Sequence, residues 1–181
     1  TLLLLVAIRA QIGSNIANDL NDFKKGADTD ERTGPLRPRS KGLLTEDQVR
    51  RALYFSLAIL LVSGIALVAL SSWWLLLVGL AVALGIFAYS GGPYPLSYHG
   101  LGDVAVLVFF GWVPVVTSFF ILRGTIADPV VWHLATAIGL ASVNILIVNN
   151  YRDVDEDRKA GKCTLIVHMG RDFAPRFYLT C

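Results

Sequence analysis

The chain has 181 residues, 54% of them hydrophobic, with a mean hydropathy of +0.56. That is too apolar for an ordinary soluble domain and points to a membrane protein. Its net charge is +2, and acidic residues share both basic segments, so no basic face is left for nucleic acid.

In chain order, residues 1–23 read as a helix that is apolar first and polar in its second half. Four longer apolar runs follow at 53–70, 73–89, 104–122 and 130–148. Each approaches the roughly 20 residues needed to cross a bilayer. None shows the period-two alternation of a strand. Pro114 falls inside the fourth helix and is expected to bend it. Gly64, Gly79, Gly85, Gly111 and Gly139 are expected to allow close helix approach. The chain opens inside an apolar run without an initiator Met and stops in a nascent helix at 173–181. It reads as a single transmembrane domain over 1–181, truncated at both ends, with about five spanning helices and the start of a sixth. Cys163 and Cys181 give no disulfide framework and read as free thiols.

The connections carry a topology. Ser71-Ser72 and 123–129 are short, whereas 24–51, 91–102 and 151–176 are long. Counting crossings puts the three long loops on one side. They hold 14 of the 16 Lys and Arg, which the positive-inside rule assigns to the cytoplasm. Trp73, Trp74 and Trp132 fall near the opposite ends, where interfacial aromatics belong.

Two acidic clusters lie on the same side. The first is Asn18-Asp19-Leu20-Asn21-Asp22, with Asp28 and Asp30 beyond. The second runs from Asn149 through Asp153, Asp155, Glu156 and Asp157. Two unit charges about 4 Å apart cost roughly 4 kcal/mol at an effective dielectric near 20. A cation is therefore expected between them. Residues four apart share a helix face, so Asn18 pairs with Asp22, near Asn15, and Asn149 pairs with Asp153 and Asp157. Polar groups at such positions usually face a bundle interior. The two faces are suited to Mg²⁺ and, through it, a diphosphate. A calcium loop does not fit, because its glycine and final glutamate places hold Arg158 and Thr164. Solvated charges capping helix ends are the plainer alternative. Lys24, Lys25, Arg37, Arg39, Arg152, Arg158, Lys159 and Lys162 flank the clusters, where they serve topology and anionic headgroups or a leaving diphosphate.

Three stretches resemble the UbiA superfamily of intramembrane prenyltransferases: NDLNDFKKGADTDERTG at 18–34, YSGGPYPLSYHGLGDVAVLVFFG at 89–111, and NNYRDVDEDRKAGKCT at 149–164. The first and last resemble its two aspartate motifs. The likeness is nearest to the branch acting on 1,4-dihydroxy-2-naphthoate. It implies an all-α, polytopic transmembrane bundle, of which this chain is a part, in the inner (cytoplasmic) membrane with cytoplasmic active-site loops. It implies Mg²⁺ as cofactor, with polyprenyl diphosphate, 1,4-dihydroxy-2-naphthoate and membrane lipid as partners. The expected catalytic residues are Asp22, Asp153 and Asp157. Asn18, Asp19, Asp28 and Asn149 join them as metal or diphosphate ligands, and Tyr89, His99, Arg37 and Lys162 are expected to bind substrate. The superfamily's third aspartate place holds Gly26, with Asp28 nearest, and the place of a phosphate-binding lysine after Tyr89 holds Pro93. His99 or Lys162 is expected to substitute for that lysine. A different aromatic acceptor, such as 4-hydroxybenzoate, or a cation-carrying membrane transporter, is the alternative.

Overall fold

The computed structural model describes residues 1–24 and 43–181. Among these the chain is helical and has no strand. The helices are α1 (Leu2–Lys24), α2 (Glu46–Leu70), α3 (Leu75–Ala88), α4 (Gly102–Val106), α5 (Val113–Arg123), α6 (Pro129–Arg152), α7 (Val154–Lys159), α8 (Leu165–Met169) and α9 (Phe173–Thr180). A π-helical segment, Leu107–Trp112, joins α4 to α5, so that Gly102–Arg123 is one continuous rod.

Among the described residues, three helices are long and apolar enough to cross a membrane: Glu46–Leu70, the Gly102–Arg123 rod and Pro129–Arg152. The 14 residues of α3 reach only about 21 Å, and α1 becomes polar in its second half. The chain is a multi-pass membrane helical protein. Exposed Leu61, Val62, Ile65, Leu77, Leu80, Leu84 and Leu134 form the apolar exterior that lipid would cover.

Local chemistry sets the helix ends. Thr45 and Gln48 form a reciprocal cap, Gln48 N–H donating to Thr45 Oγ1 and Thr45 N–H to Gln48 Oε1. This starts α2 at Glu46, seven residues before its apolar run begins. The capping box satisfies two N–H groups that would otherwise lack partners. At the other end, Asp128 accepts from Val130 N–H at 2.9 Å and Pro129 opens α6, the arrangement that a helix N-terminus favours.

Helices α1 and α2 run antiparallel. Lys24 Nζ at the end of α1 lies 3.3 Å from Glu46 Oε1 at the start of α2. Farther along, Ser56 Oγ donates to the Arg9 carbonyl at 3.3 Å. Ala17 and Leu20 of α1 close a core with Val49 and Leu53 of α2 and Ile86 of α3. A second core joins the rod to α6 through α9, with Val106, Val143, Ile147, Val154, Ile166 and Ala174 at its centre.

Pro114 stands in the first turn of α5. It follows the π-helical segment, where the Val113 N–H reaches back five residues to the Val108 carbonyl. The wider turn takes up the hydrogen bonding that a proline disturbs. This segment rests directly on α6. A Cβ on Gly111 would stand 2.5 Å from the Ala135 carbonyl oxygen and 2.6 Å from Gly139 Cα. Gly85 similarly receives the Phe109 ring, 2.7 Å from where its Cβ would be. Gly64 and Gly79 have open space around them. They do not serve the close approach expected from the sequence, because no described helix packs against those points.

Candidate functional site

The long-loop ends of the helices enclose a cavity of about 590 Å³, lined by α1, Tyr89, the start of the rod, and α6 with the segment that follows it. The first polar face is built by α1. Asn18 and Asp22, one turn apart, both line the cavity. Asp22 is almost wholly buried, at 1% exposure. Its Oδ1 accepts from the Tyr98 hydroxyl at 3.2 Å, and its Oδ2 lies 3.7 Å from Lys162 Nζ.

The second face comes from α6 and α7. Asp153 ends α6, yet the hydrogen-bond ladder continues through it: Asp153 N–H donates to the Asn149 carbonyl at 3.0 Å and Asp157 N–H to the Asp153 carbonyl at 2.8 Å. Asn149, Asp153 and Asp157 therefore stay in register and line the cavity together, with Asn150 beside them. Arg152 forks onto the Asp153 carboxylate, with Nη2 2.8 Å from Oδ2. Asp157 Oδ1 lies 3.7 Å from Lys162 Nζ.

Among the described residues, Lys162 is thus a cation standing between the two clusters. Its ammonium is equidistant from Asp22 and Asp157, and sits 5.7 Å from the Tyr98 ring centre. The local backbone delivers it there. After α7, Gly161 adopts φ +69°, a left-handed conformation that glycine adopts without steric cost. The chain then turns back, and Lys162 N–H donates to the Asp157 carbonyl at 2.8 Å. Cys163 N–H next donates to the Tyr98 carbonyl at 3.2 Å. Two loops distant in sequence are clipped together beside the cavity. The lysine stabilises carboxylates whose mutual repulsion would otherwise oppose burial.

The other expected residues fall in different places. Tyr89 lines the cavity. Asp19, one step round α1, does not. His99 faces a separate cleft with Pro93, Cys163 and His168. There its ring stacks on Tyr94 at 3.7 Å, and its Nδ1 lies 2.8 Å from the Pro95 carbonyl oxygen. Asp28 and Arg37 lie outside the described residues. Two buried polar side chains of the cavity lining were not singled out by sequence reasoning: Ser97 and Asp103, 3% and 7% exposed. Asp103 had one available signal, a carboxylate at the very start of a membrane-length apolar run, where charge is costly.

Among the described residues no three His, Cys, Asp or Glu side chains form a ready metal cage. The cavity instead offers oxygen donors: the carboxylates of Asp22, Asp153 and Asp157 and the amides of Asn18, Asn149 and Asn150. The Oδ1 of Asn18 is buried without a hydrogen-bond partner. A few carboxylates with neutral oxygens suit Mg²⁺ when substrate phosphates complete its shell, so the donor chemistry fits that ion.

Comparison with known proteins agrees with this geometry. The chain is 41% identical over 184 residues to the 1,4-dihydroxy-2-naphthoate octaprenyltransferase of Escherichia coli (strain K12), a match covering 98% of this chain and 59% of that protein. It is 40% identical over 169 residues to the Mycobacterium tuberculosis protein of the same name, covering 93% of this chain and 57% of that one. A more distant relative, the UbiA prenyltransferase domain-containing protein 1 of Dictyostelium discoideum, is 27% identical over 176 residues, covering 94% and 53%. The chain thus spans less than two thirds of the length of these relatives. No solved structure matches it. The UbiA prenyltransferase family model matches residues 1–181, and the chain belongs to that family.

Proposed function

We propose that the full-length protein transfers a polyprenyl group from polyprenyl diphosphate to 1,4-dihydroxy-2-naphthoate, releasing diphosphate and CO₂ and giving a demethylmenaquinol or its quinone. Its place is the inner membrane, with the clipped loops on the cytoplasmic side. The chain forms one transmembrane prenyltransferase domain with the segments found beyond it in its relatives. The observation that carries this reading is the meeting of Asp22 and Asp157 at Lys162 over a cavity walled by Val106, Phe110, Ile145 and Leu146.

The residues divide the work. Asn18, Asp22, Asp153 and Asp157 would hold Mg²⁺, which when bound would neutralise charge on the leaving diphosphate. Lys162 adds a second positive group at the same point, and the Tyr98 hydroxyl fixes the Asp22 carboxylate. The allylic C–O bond breaks with its electron pair on the diphosphate, and an electron-rich ring carbon forms the new bond. The apolar walls keep water from the allylic cation. Tyr89 offers an aromatic face to the same charge. Beyond the cavity the donor's tail lies among lipid or apolar side chains, gaining about 0.8 kcal/mol per buried methylene.

The test is incubation of the full-length protein in lipid with polyprenyl diphosphate and each candidate acceptor, with and without Mg²⁺. The expected result is Mg²⁺-dependent prenylation of dihydroxynaphthoate. Prenylation of 4-hydroxybenzoate instead would change the acceptor. Cation flux in vesicles without any prenyl transfer would replace the enzyme with a transporter.

A further inference from the structure

A second polar corner of the cavity lies where the rod begins. Asp103 lines the cavity at 7% exposure, and its Oδ1 has no hydrogen-bond partner. Ser97 is 3% exposed, lines the same wall, and its Oγ also lacks a partner. Between them stands Gly102. A Cβ there would lie 3.5 Å from the Tyr89 hydroxyl, 3.6 Å from Ser97 Cα and 3.8 Å from Leu146 Cδ2. The Tyr89 hydroxyl and the Ser97 backbone thus lie close to Gly102, and Tyr89, Ser97 and Asp103 line one cavity with Leu146, Val106 and Phe110.

Lys162 is bound to Asp22 and Asp157 and Arg152 to Asp153, so the described cations of the cavity are engaged elsewhere. An unsatisfied buried acceptor is costly, more so when charged, and a buried ionisable group in a spanning segment is a functional candidate by default. A carboxylate lacking a donor takes an O–H or N–H and rejects another carboxylate.

We propose that Asp103, with Ser97 and Tyr89, forms the subsite that receives a ring hydroxyl of the aromatic acceptor; this rests on the prenyltransferase reading above. Asp103 accepts the hydroxyl's hydrogen bond and turns the acceptor's own carboxylate away. The bond raises electron density in the ring. As the ring carbon bearing the carboxylate bonds to the allylic carbon, the hydroxyl proton passes to Asp103 and the ring takes its keto form. When that carbon loses CO₂, the released electron pair restores the aromatic ring and the oxygen takes its proton back from Asp103.

The test uses the full-length protein in lipid nanodiscs, comparing wild type with Asp103→Asn and Ser97→Ala. Dihydroxynaphthoate binding is read from tryptophan fluorescence, and KM is measured for each substrate. Asp103→Asn is expected to raise the acceptor Kd at least tenfold and Ser97→Ala about threefold, with the KM for polyprenyl diphosphate within twofold of wild type. An acceptor whose hydroxyls are methylated is expected to bind wild type and Asp103→Asn equally poorly. An acceptor Kd unchanged in both variants, or equal loss for both substrates, overturns the proposal. If wild type ignores dihydroxynaphthoate but binds 4-hydroxybenzoate, the acceptor reading above fails, and the same thresholds on hydroxybenzoate decide the role of Asp103. Binding of neither acceptor overturns both.

Discussion

The loop end and the waist of this bundle are held together by opposite means. At the loop end the buried groups are charged: Asp22, Asp153 and Asp157 are each at most 9% exposed, and Lys162 joins two of them from distant loops. At the waist the contact is nearly bare backbone, Gly111 of the rod against Gly139 and Ala135 of α6. Within a bilayer, burying apolar surface gives helices little reason to associate, and small residues that admit close backbone approach take over. The waist therefore sets helix spacing and the loop end carries the chemistry, so each should fail in its own way when altered.

The largest effect is expected at the loop end. Asp22→Ala and Asp153→Ala, made separately in the full-length protein, are each expected to lower Mg²⁺-dependent prenylation about 100-fold or more, the scale of losing one preorganised electrostatic contact. Retained activity in both would remove these residues from the site. Next comes the waist. Gly111→Val places a side chain against the Ala135 carbonyl and is expected to cost about 1–3 kcal/mol of stability, read as a lower midpoint of thermal unfolding in detergent. An unchanged midpoint would mean that the two helices are not seated on each other there. Lys162→Met is expected to raise the KM for polyprenyl diphosphate about tenfold, comparable to one charge-assisted hydrogen bond, with Lys162→Arg recovering part of it. A KM unchanged in Lys162→Met would leave the lysine with a purely structural role. The smallest effect belongs to Gly79, which has open space around it. There Gly79→Ala is expected to be neutral or to stabilise by about 0.5–1 kcal/mol, and a marked loss would reveal a neighbour packed against that face.

Much of this division was legible in the sequence. Apolar run length located three helices of spanning length but overstated the run at 73–89, which forms the shorter α3, and the four-residue spacing of Asn18 with Asp22, and of Asn149 with Asp153 and Asp157, picked out residues that line one cavity. The expectation of a cation between the clusters also follows from charge alone. What spacing does not reveal is which cation stands there. Lys162 reaches that point through Gly161 and the hydrogen bond from Cys163 to Tyr98, a contact between loops more than 60 residues apart. Asp103 was obscured for a different reason. One carboxylate at the edge of an apolar run resembles a helix-end charge until the structure shows it buried beside Ser97. The glycines teach the same lesson: composition marks all five as small, but only tertiary packing separates Gly111 and Gly139 from Gly64 and Gly79.

The π-helical segment between Leu107 and Trp112 has a geometric consequence for the whole rod. Such a turn holds one residue more than a regular one, and each residue of an α-helix advances about 100° around its axis. Deleting a single residue just before Gly111 would close the segment into a plain helix. The lost residue and the lost width would nearly cancel, so Asp103 would stay at the chamber, whereas the same deletion in a regular part of the rod would swing it by about 100°. The rod behaves like a keyed shaft, whose angular setting aligns one end to chemistry and the other to assembly.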